Sequence, residues 1–236
     1  MSTRPDILFP LFQEVTVLDG VGPRISANFG GVEIYRLRDL IFTLPYNGVE
    51  RLRVASVLDA DLPQTLTLEV KVVEHHPPKV KSRPYRVFVR DEKTIFALVF
   101  FHARKEYLSK ILPLEERRIV SGKVELFDDV VQMVHPDHVT SVRQEADIDT
   151  FEPIYPLTAG VSQKTMMRAV RAALGFAPNL PEWIEPAHKA RSEWPDWRTA
   201  LSDAHDPLSM NDLASSAKSR VRLAYDEFFA HQLTLG

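Results

Sequence analysis

The sequence predicts a mixed α+β chain, a small five-stranded barrel with a helical segment on either side. Three observations carry that expectation. Up to about residue 50 apolar residues recur at helical spacing. From Leu66 the period switches to two and holds to Val134, interrupted by a single helical stretch. After about Val142 a helical, proline-punctuated pattern returns. The expected segments are 1–50, 51–142 and 143–236.

In the first segment, Gly20-Val21-Gly22 reads as a turn, with Pro23 at the start of a helix, where a missing N–H costs little. Gly30-Gly31 should stop that helix. Leu37, Leu40, Ile41 and Leu44 then mark a second helix ended by Pro45. The Gly-Val-Gly turn is similar to a helix-hairpin-helix, whose backbone N–H groups can hold a phosphate. A purely structural turn is the competing reading.

In the second segment, Leu66, Leu68, Val70 and Val72 share one strand face, opposite Thr67, Glu69 and Lys71. Tyr85, Val87 and Val89 oppose Arg86, Phe88 and Arg90 on the next strand, and "TIFALVFF" (Thr94–Phe101) is the third. A helix follows, with Tyr107, Leu108, Ile111 and Leu112 on one side. "RRIVSGKVELF" and "VVQMV" are the last two strands, joined through Phe127-Asp128-Asp129. Gly122 inside the first of them suggests a bulge or a barrel bend. Three strands, a helix and two strands is the order of the OB-fold. Its first long loop is "EHHPPKVKSRP" (Glu74–Pro84). In OB-folds that loop and the face of the second and third strands commonly hold oligonucleotides.

In the third segment, Ser162 is placed to cap a helix running to Leu174, and "PDWRTALSDAHDP" (Pro195–Pro207) holds another. The last stretch is amphipathic, with Val221, Tyr225, Phe228, Phe229 and Leu233 as candidate core positions.

Composition removes several function classes. Hydrophobic residues make up 44% of 236, enough for a real core. No apolar run approaches the ~18–20 residues that span a bilayer, and the N-terminus lacks the features of a signal peptide. With no cysteine there are no disulfides or thiolate zinc sites, which fits a reducing cytosol. His135 and His138 form an H-x-x-H, but with no third ligand beside them "PDH" reads better as the end of the fifth strand. No G-x-x-x-x-G-K-[ST] and no G-x-S-x-G occurs. The chain by itself is therefore expected to be non-catalytic, with no cofactor or metal of its own.

Charge points to a partner. The net charge is −3, yet between Lys79 and Tyr107 eight basic residues face three acidic ones. Lys79, Lys81, Arg83, Arg86, Arg104 and Lys105 are the candidate phosphate contacts. Phe100 and Phe101 sit inside this basic stretch. Neighbouring strand residues point to opposite faces, so one of the two should leave the barrel. An exposed aromatic among cations can stack on a base. The alternative buries both, one in the barrel and one under the helix.

Seven stretches together resemble the N-terminal region of the bacterial DNA helicase family RecG. They are "LDGVGP" (Leu18–Pro23), "LRDLIFTLP" (Leu37–Pro45), "LVFFHAR" (Leu98–Arg104), "SGKVEL" (Ser121–Leu126), "QMVHPDH" (Gln132–His138), "PIYPLTAGVSQKTMMRAV" (Pro153–Val170) and "RLAYDEFFAHQLTL" (Arg222–Leu235). The resemblance implies an OB-fold wedge that grips branched DNA, at replication forks and Holliday junctions, in fork regression, recombination and repair. It implies that Phe101 stacks on unpaired bases at the branch point, with Tyr107 as the second aromatic. It further implies a longer, cytoplasmic and nucleoid-associated protein whose motor domains use ATP and magnesium, with this chain a piece cut ahead of the motor. Partners would be branched or single-stranded DNA, the motor domains and, as a further candidate, a single-stranded-DNA-binding protein. The rival to this reading is a stand-alone OB-fold protein that binds single strands without catalysis.

Overall fold

The computed structural model describes residues 5–80 and 83–235. In chain order its helices and strands begin with α1 (Pro23–Phe29), α2 (Leu37–Phe42), β1 (Asn47–Glu50) and β2 (Leu52–Arg53). Next come β3 (Gln64–His76), β4 (Tyr85–Arg90), β5 (Ile95–Phe100) and α3 (Lys105–Ile111). They are followed by β6 (Arg117–Phe127), β7 (Val130–Val134), β8 (His138–Thr140) and β9 (Phe151–Ile154). The chain closes with α4 (Gln163–Leu174), α5 (Pro186–Ser192), α6 (Trp197–His205) and α7 (Lys218–Leu235), and several short 3-10 turns lie between these elements. Among the described residues no helix is long and apolar enough to cross a membrane.

The chain divides into two compact units, where the sequence suggested three segments. Residues 1–48 and 153–236 form one, and 49–152 the other. The reason is a shared core. Phe29, Leu37, Leu40 and Ile41 from the N-terminal helices are buried in one cluster with Val170 and Ala173 of α4 and with Leu201 and Ala204 of α6. Burial of apolar area is indifferent to sequence separation.

Local signals in the helical unit behave as read. Pro23 opens α1 behind Gly22, and Gly30 caps its end. Asp39 accepts from the N–H groups of Tyr35 and Arg36, at 3.0 and 2.8 Å, and so fixes the start of α2. The Ser162 hydroxyl accepts from Thr165 N–H at the head of α4. On α7 the expectation fails. Phe228, Phe229 and Leu233 are exposed and Val221 and Tyr225 half-buried, while the buried positions are Ser219, Arg222 and Leu223. Arg222, 1% exposed, donates to Asp226 (2.9 Å) and Glu182 (3.1 Å). A guanidinium can be buried this way only because carboxylates meet it, and a hydrophobic count along a helix does not register such pairs.

The other unit is the barrel. Its strands run in the order β3-β4-β5-β7-β6, and β6 returns to pair with β3 over eight positions, from Gln64↔Val124 to Lys71↔Arg117. β5 and β7 are parallel and the other barrel pairs antiparallel. This is the OB-fold topology anticipated from the element order. Leu66, Leu68, Val70, Val72, Tyr85, Val87, Val89, Phe96, Leu98, Phe100, Val120, Val124 and Met133 fill the interior, and Leu108 and Leu112 of the α3 segment join them. Asp128 and Asp129, at φ 49° and 60°, form the two-residue link between β6 and β7, the φ signature of a type I′ turn.

Three strand details differ from expectation. Gly122 is no bulge, because its pairing with Leu66 lies in an unbroken register. A Cβ there would come within 3.1 Å of Pro136 Cα and of Met133 Sδ, so close approach selects glycine. The register irregularity lies instead in β3, between Val72 and Glu74. β3 also runs on through Glu74, His75 and His76, which shortens the basic loop to residues 77–84. Finally, His138 does not end the fifth barrel strand. It begins β8, which pairs with β6.

His205 sits in the helical core, where its Nε2 donates to Ile41 O at 2.8 Å and its Nδ1 accepts from the Tyr155 hydroxyl at 3.0 Å. Burial holds its pKa down at about 4. The unfolded chain takes up this proton near pH ~6.5, the folded one only near pH 4. Between those values the unfolded state binds more protons, so stability falls as pH falls. The loss should total on the order of 3 kcal/mol by about pH 4. Urea unfolding from pH 7 to 4.5 should show this slope in the native chain and a shallower one in His205→Gln. Equal slopes would contradict the assignment.

Candidate nucleic-acid interface

One end of the barrel collects most of the residues singled out in the sequence. β3 ends there at His76, paired with Arg86 near the start of β4. β5 ends there too, with Tyr85↔Phe100 and Arg86↔Val99 as its last pairs with β4. The loop 77–84 joins β3 to β4 at this end, and α3 begins at Lys105, four residues after Phe101.

The two phenylalanines separate as strand alternation requires. Phe100 is 7% exposed and packed in the barrel core, so it does not reach the surface and is unavailable as a DNA contact. Phe101 is 46% exposed. Its ring leans on His135, centroids 5.7 Å apart at 35°, and its backbone N–H donates to His135 Nε2 at 3.1 Å. Tyr107, on α3, is 59% exposed, whereas Leu108 and Leu112 turn into the barrel. Tyr107 therefore does not share the buried side of the helix with them.

Sequence reading missed the group that fastens this end. His75 Nε2 donates to Leu112 O at 2.8 Å, while its Nδ1 accepts from the Tyr85 hydroxyl at 3.1 Å. One imidazole thus ties the end of β3 to β4 and to the residue that closes α3. Burial, and then the nearby Glu106 carboxylate, push the Tyr85 pKa up, so the phenol stays a donor. At the far end of β4 the buried Asp91 carboxylate accepts from the N–H groups of Val57, Lys93 and Thr94, each at 2.8 Å. It shapes the β4–β5 turn. In the sequence it was only one acid among the basic residues, and nothing in its neighbours announced three backbone donors.

The cations of the barrel unit sort into two sets. Arg51, Arg53, Lys71, Lys93, Arg117, Arg118 and Lys123 each have a carboxylate within ion-pair distance. Arg51 is the buried case, donating to Ser121 Oγ (3.2 Å), to Asp137 (2.9 Å) and to Glu152. His138 and Arg51 together hold the Glu152 carboxyl down at about 2. By contrast Lys79, Arg83, Arg86, Arg104 and Lys105 are exposed and have no ion-pair partner among the described residues, and Arg90, Lys110 and Arg143 are likewise unpaired. Lys81, also a candidate, lies outside the described residues. Exposed, unpaired cations beside an exposed aromatic can neutralise phosphates and offer a base a flat face.

Two other motifs from the sequence are held by partners within their own units. Gly20, at φ +78°, lies against the Arg168 guanidinium, which a Cβ would meet at 2.5 Å, and Val21 is buried. The helix after that turn is only seven residues long. His135 and His138 are engaged separately, the first by Phe101 and the second facing Glu152 at 3.6 Å.

Known proteins match this arrangement. The RecG wedge domain family matches residues 14–177. An ATP-dependent DNA helicase RecG of Acidithiobacillus ferridurans is 25% identical over 240 residues, covering 95% of this chain and 32% of its own length. One from Pasteurella multocida is 26% identical over 235 residues, covering 94% and 33%. A solved structure of RecG bound to a three-way DNA junction aligns with a TM-score of 0.75 and 22% identity, over 99% of this chain and 32% of that one. The chain thus spans about a third of the length of the relatives it matches.

The split between the phenylalanines has a measurable consequence for stability. Phe100→Ala should cost about 3–5 kcal/mol in urea unfolding, as a large core deletion does. Phe101→Ala should stay within about 0.5 kcal/mol of the native chain. Equal losses would mean that both rings are core.

Proposed function

The chain belongs to the RecG wedge domain family, and from that premise we propose that it is the branched-DNA-binding part of a RecG-like ATP-dependent DNA helicase. The observation that carries the proposal is Phe101, exposed at the barrel end that also holds cations without carboxylate partners among the described residues. The solved RecG structure to which the chain is similar is bound to a three-way DNA junction, which supports the same reading.

The mechanism follows from the geometry. Lys79, Arg83, Arg86, Arg104 and Lys105 attract the backbone and hold it without reading sequence. Phe101 offers its ring to the base left unpaired where two strands part, and Tyr107 is the nearest further aromatic. Stacking is worth about 1–3 kcal/mol per base and works with any base. The rim therefore holds strands apart by position.

ATP and magnesium belong to the longer protein in this reading. The chain has no G-x-x-x-x-G-K-[ST] loop. Translocation would come from motor domains beyond this stretch, acting in replication-fork regression, recombination and repair in the cytoplasm.

Binding should discriminate. The chain should prefer a three-way junction to a plain single strand of equal length, whereas a stand-alone single-strand binder would not. Phe101→Ala should weaken junction binding by about 1–3 kcal/mol while leaving the salt dependence unchanged. Changing Lys79 and Arg83 to glutamine should lower the slope of log K against log salt by roughly 1 for each phosphate no longer neutralised. Fluorescence anisotropy across a salt series reads both. Native affinity and slope in both variants would overturn the assignment of the rim.

A further inference from the structure

His135 is not used by the reading above, yet it touches Phe101 in two ways. Its Nε2 accepts the Phe101 backbone N–H at 3.1 Å, and its ring lies against the Phe101 ring. It also meets Phe100 edge-on, centroids 6.1 Å apart at 86°. Its own N–H donates to Val99 O at 2.9 Å. One residue, just past β7, therefore grips three consecutive residues at the end of β5.

The backbone of His135 is itself unusual. Its φ is 47°, in the left-handed region that few residues other than glycine enter. His102, directly after Phe101, is left-handed as well, at φ 58°. The chain turns sharply on both sides of the exposed ring. Past Phe100 no pair of β5 with β4 is left to hold it. The imidazole supplies the acceptor for the Phe101 N–H. An acceptor at Nε2 requires that nitrogen to be bare, so the neutral ring carries its proton on Nδ1.

We propose that His135 is a positioning residue for Phe101. It fixes the backbone at the strand end and backs one side of the phenyl ring, leaving the other side to a base. The ring is then pre-set for stacking, and DNA need not order it on binding. This inference rests on the stacking role of Phe101 proposed above.

The test is a double-mutant cycle, with the whole chain and a three-way DNA junction carrying 2-aminopurine at the branch point. Glycine is the informative substitution, since it suits the left-handed backbone and removes only the imidazole. His135→Gly should keep a near-native melting temperature, bind the junction roughly threefold to tenfold more weakly, and quench 2-aminopurine less. In the Phe101→Ala background it should change neither affinity nor quenching. His135→Gln, which restores an acceptor at the same reach, should recover part of the loss. Equal losses in both backgrounds, or native binding by His135→Gly beside a clear loss for Phe101→Ala, overturn the positioning role alone. Native binding and quenching by Phe101→Ala overturn the stacking reading, and the positioning role with it.

Discussion

The register of β5 between β4 and β7 is the constraint on which the rim depends. Pairing Tyr85 with Phe100, and Val99 with Val134, sends Phe96, Leu98 and Phe100 into the barrel. Phe101 is thereby sent outward. A slip of one residue would exchange the two rings, putting an unsupported phenylalanine in the core and the core one in solvent. Such a slip would strand several buried side chains at once, so the barrel's own packing enforces the register. An exposed aromatic at this place is a by-product of a well-filled core, and it needs no stabilising partner of its own beyond His135.

Charge follows the same division. Several cations along the barrel wall are matched, Arg117 by Glu69, Lys71 by Glu115 and Lys93 by Asp59, although Arg90 has no such partner among the described residues. Exposed pairs of this kind add little stability, about 0–1 kcal/mol. Their larger effect is to cancel much of the local field. Around Phe101 the cations lack such partners among the described residues, and a cluster of that kind makes a local positive field on a chain whose net charge is −3.

Much of this was legible in the sequence, for physical reasons that can be named. Alternation located β3 and β4, each of which buries one face, and runs rich in β-branched and aromatic residues located β5, β6 and β7. The Asp128-Asp129 link and the Ser162 cap were visible because a turn and a helix start demand particular residue types. What escaped were features made by distant partners. Arg222 is buried only because Glu182 and Asp226 converge on it. Gly122 is favoured where Pro136 passes close by. His75 and His135 act through single hydrogen bonds to residues more than thirty positions away, except where His75 meets Tyr85. The chain's division also escaped, since the N-terminal helices bury themselves against helices that follow the barrel. Phe101 was half legible: alternation required one of the pair to leave the core, but which of the two it is follows from the register of β5 against β4.

The central claim is that DNA meets the barrel at this rim and not along its wall. Hydrogen exchange of the chain with and without a three-way junction tests it most directly. The account predicts slowed exchange in peptides covering residues 83–86 and 101–107, with residues 69–71 and 115–118 unchanged. Protection confined to the latter pair, with the rim unaffected, would contradict it.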